Sequence, residues 1–236
     1  DLTDEGLQGL SSPHILPNPQ MGWHKRKKSM HFEPLRPLVE EVSEIIGIEP
    51  WHLLCDSFVS ENKCLEKEAC RVKLAKEVDD FIALLSKRYQ SLGLDREPVV
   101  YVKNNRGTYG LGIMTVTSGE QLLNLSNRKM KKLMYGKGTT DVEDFLIQEG
   151  VPTLMKTEEG FPVEPVVYLV DGDASSWFYR VNAKRDDIGN LNSPSAQFVT
   201  SDQEPGYMTH AHNWHALVAE ISMLAMGLEL EAMKTS

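Results

Sequence analysis

The order of residue types along this chain predicts an α+β protein with mainly antiparallel sheets, and three observations carry that reading. Stretches of helical periodicity dominate before residue 97. β-branched and aromatic runs follow directly, beginning with PVVYVK. In PVVYLVDGDASSWFYRV two apolar runs flank Asp171-Gly172-Asp173, which is the pattern of a β-hairpin.

Taken in order, Ser11 to Gln20 reads as an extended arm, because Pro13, Pro17 and Pro19 block a helix. Gly22 to Phe32 gathers Lys25, Arg26, Lys27 and Lys28 beside Trp23, His24 and His31, either a solvated basic patch or a seat for an anion. Leu35 to Ile46 carries Leu38, Val42, Ile45 and Ile46 at helical spacing, with Gly47 as the stop. A longer helix is expected from Leu65 to Leu92 on the stripe Val72, Leu74, Ala75, Val78, Phe81, Ile82, Leu85 and Tyr89, ending at Gly93. The strand PVVYVK then enters a glycine-rich loop and a second strand. Gly119 to Met134 reads as one helix bearing the basic cluster Arg128, Lys129, Lys131 and Lys132. FLIQEGV is a short buried strand, the hairpin follows, and Trp214 to Met233 closes as an apolar helix. The expected division is a region 1–96 of arm, basic element and helices, and a region 97–236 that carries the site.

At 236 residues, with 41% hydrophobic and 25% charged residues, the chain has the composition of a folded globular protein that needs no disulfide or metal staple. A net charge of −9 argues against nucleic acid, and neither basic cluster sits in a known reading motif. Cys55, Cys64 and Cys70 lack zinc-ligand spacing and read as free thiols, which suits a reducing cytoplasm. No apolar run reaches the length of a membrane span, and no signal segment opens the chain.

The chemistry is expected around Lys103. Gly107, Gly110 and Gly112 follow it closely, so backbone N–H groups and an ammonium can converge on a polyphosphate. This is not a P-loop, in which the lysine follows the glycines. Downstream come Gln148-Glu149-Gly150-Val151 at a strand end, Arg180 on the hairpin, and the turn GNLNSP with Asn190 and Asn192. That serial order is that of an ATP-grasp site, in which two α+β lobes clamp ATP.

The strings GWHKRKKSMHF, YVKNNRGTYGLGIM, FLIQEGV, EPVVYLVD, FYRVN and NLNSP, spread from Pro13 to Glu231, resemble the proteobacterial type of glutamate–cysteine ligase. The resemblance is to the C-terminal part of that family, whose members are longer on the N-terminal side. It implies ATP-dependent joining of the glutamate γ-carboxyl to the cysteine amine, the first step of glutathione synthesis, by a cytoplasmic protein using ATP and Mg²⁺. An acyl phosphate removes the need for a nucleophilic cysteine. A homo-oligomer is compatible with it.

On this reading Lys103 and Arg180 are the catalytic cations, with Lys103 on the α/β-phosphates and Arg180 on the transferring phosphoryl group. The flap Gly107, Thr108, Tyr109, Gly110 and Gly112 covers the β/γ-phosphates. Gln148 and Val151 hold adenine at the strand edge, and Glu149 accepts from the ribose hydroxyls. Arg26 and Lys28 bind substrate carboxylates or phosphates. Asp187, Asn190 and Asn192 are the magnesium candidates. The chain departs from the family pattern at Asn104, Asn105 and Gly189, where acidic residues are usual. Those departures leave open an inactive relative that keeps the nucleotide site, and a further alternative is an ATP-grasp ligase with another acceptor.

Overall fold

The computed structural model describes residues 26–106, 112–134, 144–200 and 208–235. The arm at residues 11–20, Trp23, His24 and Lys25, and Gly107, Thr108, Tyr109 and Gly110 of the expected flap lie outside the described residues.

Helix α1 spans Lys28–Ile46. It starts seven residues before the expected position and runs through Pro34 and Pro37. Its first turn is satisfied from outside the helix. The Lys28 backbone N–H donates to the Asn105 carbonyl at 2.8 Å, the Ser29 N–H donates to Asn105 Oδ1 at 3.0 Å, and Asn105 Nδ2 donates to Ser29 Oγ at 2.9 Å. A cap supplied by a residue far along the chain is invisible to local pattern reading, which explains the early start. The helix ends at Gly47 in the left-handed conformation, as expected. Its buried line is Leu35, Val39 and Ser43, with Leu38 and Val42 alongside, while Ile45 is 76% exposed.

A 3₁₀ turn at Pro50–His52 leads to β1 (Ser57–Ser60), a short strand whose polar ends hid it from the periodicity test. Helix α2 (Glu68–Ser91) buries Leu74, Ala75, Val78, Phe81, Leu85 and Tyr89, and Gly93 follows it at positive φ. Val72 is exposed, outside the stripe expected for it. Strands β2 (Val99–Asn104) and β3 (Ile113–Val116) flank the glycine loop. The helix expected over Gly119 to Met134 is broken into α3 (Glu120–Leu123) and α4 (Asn127–Met134). Gly119 lies so close to α2 that a Cβ there would stand 2.2 Å from the Ala75 carbonyl oxygen.

Strand β4 (Phe145–Gly150) completes an antiparallel sheet in the order β1-β4-β2-β3. Its core face meets α2 through Val100, Val102, Phe145 and Ile147. Burying several such side chains stabilises the layer by roughly 1.5–3 kcal/mol each.

Strands β5 (Val163–Val170), β6 (Asp173–Val181) and β7 (Gln197–Thr200) form a second antiparallel sheet. The hairpin is present as expected, and its turn has two residues, Asp171 and Gly172, both at positive φ. A bulge at Tyr168/Leu169 shifts the register, so that Arg180 faces Glu164. Helix α5 (Met208–Thr235) packs on α1 through Leu217, Ile221 and Ala225, and also contacts β5 and β6. No helix among the described residues is long and apolar enough to cross a membrane.

Candidate active site

The two sheets meet at a cleft of about 200 Å³. Tyr101 and Lys103 of β2 and Ile113 of β3 form one wall, and Val151 and Thr153 lie just beyond β4. Glu164 of β5 and the loop Asp187, Gly189, Asn190 and Leu191 form the other. Alternation along β2 explains the partition: Val100, Val102 and Asn104 are buried toward α2, while Tyr101 and Lys103 face the opposite way.

The loop after β6 is held from inside. Asn182, fully buried, donates through Nδ2 to the Leu191 carbonyl at 3.0 Å and to Ser193 Oγ at 2.9 Å, and its Oδ1 accepts from Ser195 Oγ and the Lys184 N–H. Two further bonds join the loop to the other side of the cleft. Tyr101 Oη donates to the Ile188 carbonyl at 2.5 Å, and the Thr153 N–H donates to the Asp187 carbonyl at 2.9 Å.

Lys103 stands at the centre. Its ammonium donates to Gln148 Oε1 and lies 5.0 Å from the centre of the Tyr101 ring. Burial holds its pKa below the ordinary lysine value. Lys28 approaches from α1, donating through Nζ to the Asn104 carbonyl at 2.8 Å. Burial, and then the positive charge of Lys103, bring the Lys28 pKa down to about 8. The phenol of Tyr101 is pushed up to about 12, first by burial and then by the carboxylates of Asp186, Glu164 and Asp187 together with Cys55.

Several residues singled out from the sequence thus converge: Lys103, Val151, Asp187 and Asn190 line one cleft, and Gln148 touches Lys103. Arg180 adjoins it through Glu164, to which its Nη1 donates at 2.5 Å; its guanidinium stacks 5.8 Å from the Phe198 ring centre. Arg180 Nε is buried without a hydrogen-bond acceptor among the described residues.

Three of the expected site residues stand apart from the cleft. Glu149 is 1% exposed and points away from the cleft, because it follows Gln148 on a strand and alternation sends the two side chains to opposite faces. Its carboxylate accepts from Tyr89 Oη at 2.7 Å, Trp51 Nε1 at 2.8 Å and the Asp56 N–H at 3.2 Å, so it is a structural anchor with no place for a ribose. Arg26 is turned to α5, where it binds Glu229 in a two-pronged ion pair at 2.6 and 2.7 Å. Asn192 is exposed, and its backbone N–H closes a turn onto Asn190 Oδ1 at 3.1 Å.

Gly112 sits at the base of the β2–β3 loop at positive φ, where a Cβ would stand 2.8 Å from Asn104 Cβ. The departures from the family pattern also have structural places. Asn104 accepts from the Arg106 N–H and donates to the Met134 carbonyl, while Asn105 caps α1. At Gly189 a side chain would meet the Asp186 carboxylate, 2.9 Å from its Cβ.

Sequence reasoning missed Glu164. Counting back from the two-residue turn pairs Arg180 with Val163, and only the bulge brings Glu164 opposite the arginine.

The residues are chemically matched to a magnesium nucleotide. Lys103 and, adjoining the cleft, the Arg180 guanidinium are cations suited to phosphate, and Glu164, Asp187 and Asn190 offer hard oxygen ligands. Among the described residues no group of three or more His, Cys, Asp and Glu side chains is arranged to hold a metal alone. Magnesium typically takes one or two protein carboxylates and completes its shell with phosphates and water, a requirement that Glu164 and Asp187 match in number.

Two antiparallel sheets meeting at a cleft that carries Lys103, Glu164 and Asp187 define an α+β protein with charged groups of both signs between its sheets. The family profile described as GshA: Glutamate-cysteine ligase matches residues 1–230, and the chain belongs to that family. A crystal structure from Methylobacillus flagellatus KT, named "Putative gamma-glutamylcysteine synthetase", superposes with a TM-score of 0.83 at 31% identity. The match covers 99% of this chain and 58% of that one, so the present chain spans little more than half of the neighbour's length. No curated protein matches the chain.

Proposed function

We propose that this protein takes part in ATP-dependent joining of the glutamate γ-carboxyl to the amine of cysteine, on an ATP-grasp-type site in the region 97–236. The observation that carries the reading is the cleft itself: in a chain of the glutamate-cysteine ligase family, a half-buried lysine, two carboxylates and an adjoining arginine meet between two sheets. A carboxylate is a poor acyl donor because its oxygen leaves badly, and ATP with Mg²⁺ supplies the phosphoryl group that corrects this.

The protein's share is position and charge. Lys103, fixed by Gln148, presents its ammonium to the α/β-phosphates. Arg180, held on Glu164 through Nη1 beside the cleft, brings its positive charge toward the transferring phosphoryl group. Glu164, Asp187 and Asn190 would hold the magnesium ion, and the last two are carried by the loop that Asn182 braces. Val151 and Gln148 stand at the edge assigned to adenine. Lys28, close enough to Lys103 for their charges to interact, adds a second cation for a substrate carboxylate or phosphate.

One observation favours a second reading, nucleotide binding without transfer. Glu164 is already paired with Arg180, and Asp187 lies 3.6 Å from Lys156 Nζ, so both carboxylates have cationic partners within the chain.

Calorimetry with ATP and Mg²⁺ tests the site. Lys103→Met and Arg180→Ala should each weaken binding by about tenfold or more, as expected for losing a charge-assisted contact to phosphate. Unchanged affinity in both would move the nucleotide elsewhere.

A further inference from the structure

We infer that Cys55 is a positioning residue: through Gln148 it fixes where the Lys103 ammonium stands. An ammonium can only donate, so the Gln148 amide must turn its Oε1 toward Lys103. Its Nε2 then points the other way, and there Cys55 Sγ accepts at 2.7 Å. A side-chain amide with one end on a cation and the other on sulfur has a single orientation, whereas an amide held at one end swings about its last torsion.

Cys55 is itself held on the opposite side of β4. Its neighbour Asp56 donates its N–H to Glu149 Oε2 at 3.2 Å and accepts the Glu149 N–H on its carbonyl at 2.9 Å. The Asp56 carboxylate also receives Arg88 of α2, and the Trp51 indole N–H reaches the same Glu149 oxygen at 2.8 Å. Gln148 and Glu149 are consecutive, so the segment from Trp51 to Asp56 is clamped to β4 from both faces, by Glu149 on the core side and by Cys55 toward the cleft. The relay therefore runs from the buried carboxylate through Cys55 and Gln148 to the lysine.

The constraint is needed because Lys28 and Lys103 are close enough to repel, which is the second reason the Lys28 pKa is lowered. The Gln148 oxygen supplies Lys103 with an acceptor that holds it in place against that repulsion. Burial keeps the Cys55 thiol well on its protonated side, in line with a neutral hydrogen-bonding role that involves no covalent step.

The consequence for ATP rests on the proposed function; the positioning of Lys103 does not, and the test keeps the two apart. Acetylation of Lys103 by acetic anhydride, followed against pH by mass spectrometry on the ligand-free protein, reads its proton affinity. Cys55→Ala should lower the apparent pKa of Lys103 by about half a unit and so raise its labelling rate at pH 8 about threefold, because a hydrogen bond to the charged form is weakened. Cys55→Ser, which keeps an acceptor, should stay close to the wild type. Gln148→Leu removes the acceptor itself and should shift Lys103 in the same direction by at least as much, which covers the case in which Cys55→Ala does not fold.

In the catalysed reaction Cys55→Ala should raise the KM for ATP about threefold with little change in kcat, the signature of lost ground-state positioning. Identical Lys103 labelling in wild type, Cys55→Ala and Gln148→Leu would overturn the inference even if ATP binds. A labelling change in a protein whose wild type ignores ATP would uphold the positioning and remove the nucleotide reading.

Discussion

The hydroxyl of Tyr101 donates a 2.5 Å hydrogen bond to the carbonyl of Ile188, and this contact ties the four-stranded sheet to the loop that walls the cleft. With its pKa pushed up to about 12, the phenol remains a donor throughout the neutral range. Tyr101→Phe removes one link between the cleft's two sides and leaves the Ile188 carbonyl without this donor. It should destabilise the protein by about 1 kcal/mol, the usual net worth of a hydrogen bond. Urea unfolding of the two proteins measures it, and a larger rise in the KM for ATP than the stability loss explains would show that the loop's position matters to the site.

Glu149 separates a binding role from an architectural one. Its carboxylate accepts from Tyr89, Trp51 and the Asp56 backbone while almost fully buried. Glu149→Ala should cost roughly 3 kcal/mol, because several donors lose a charged acceptor at once. Denaturant titration would show this as a lower midpoint. A ribose-binding residue would instead weaken nucleotide affinity with stability unchanged.

Lys28 is the amine expected to titrate near 8. Its charge is present below that value and lost above it, so affinity for a polyanion in the neighbouring cleft should fall as pH rises through about 8. Calorimetry across that interval should show the decline, and Lys28→Gln should flatten it. An identical decline in Lys28→Gln would assign the titration to another group.

Two histidines make stability fall toward acid. His31 is held below its ordinary pKa by burial and then by Arg26, and His215 by burial and then by His212. In each case the unfolded chain takes up the proton first, so their stabilising contribution is complete above the ordinary value near 6.5 and erodes below it. Unfolding free energies measured at about pH 7.5 and about pH 5.5 should differ in that direction, and His215→Gln should reduce the difference. Stability that holds or rises toward acid would contradict the assignment.

The parts of the fold legible in the sequence are those governed by local chemistry. The two-residue turn at Asp171-Gly172, the helix stops at Gly47 and Gly93, and the strand PVVYVK announce themselves because positive φ and β-branching act over a few residues. Lys103, Val151 and Asn190 were legible through serial order, and they line one cleft together with Asp187, which was singled out only as a magnesium candidate. What was illegible depends on contacts made from afar. Asn105 caps a helix that starts at Lys28, Glu229 claims Arg26, and a bulge brings Glu164 to Arg180. Glu149 is a different case: strand alternation was already available to show that it and Gln148 cannot both face the cleft.

The most direct measurement is phosphate release from ATP and Mg²⁺ by the full chain, with glutamate and cysteine each present, omitted or replaced by another amine, and with Lys103→Met in parallel. The account predicts release that requires both amino acids, forms the γ-glutamyl dipeptide, and falls by about a hundredfold or more in the variant, in line with removing a preorganised charge from a phosphoryl-transfer site. Release that is indifferent to the amino acids, or that survives unchanged in Lys103→Met, would contradict it.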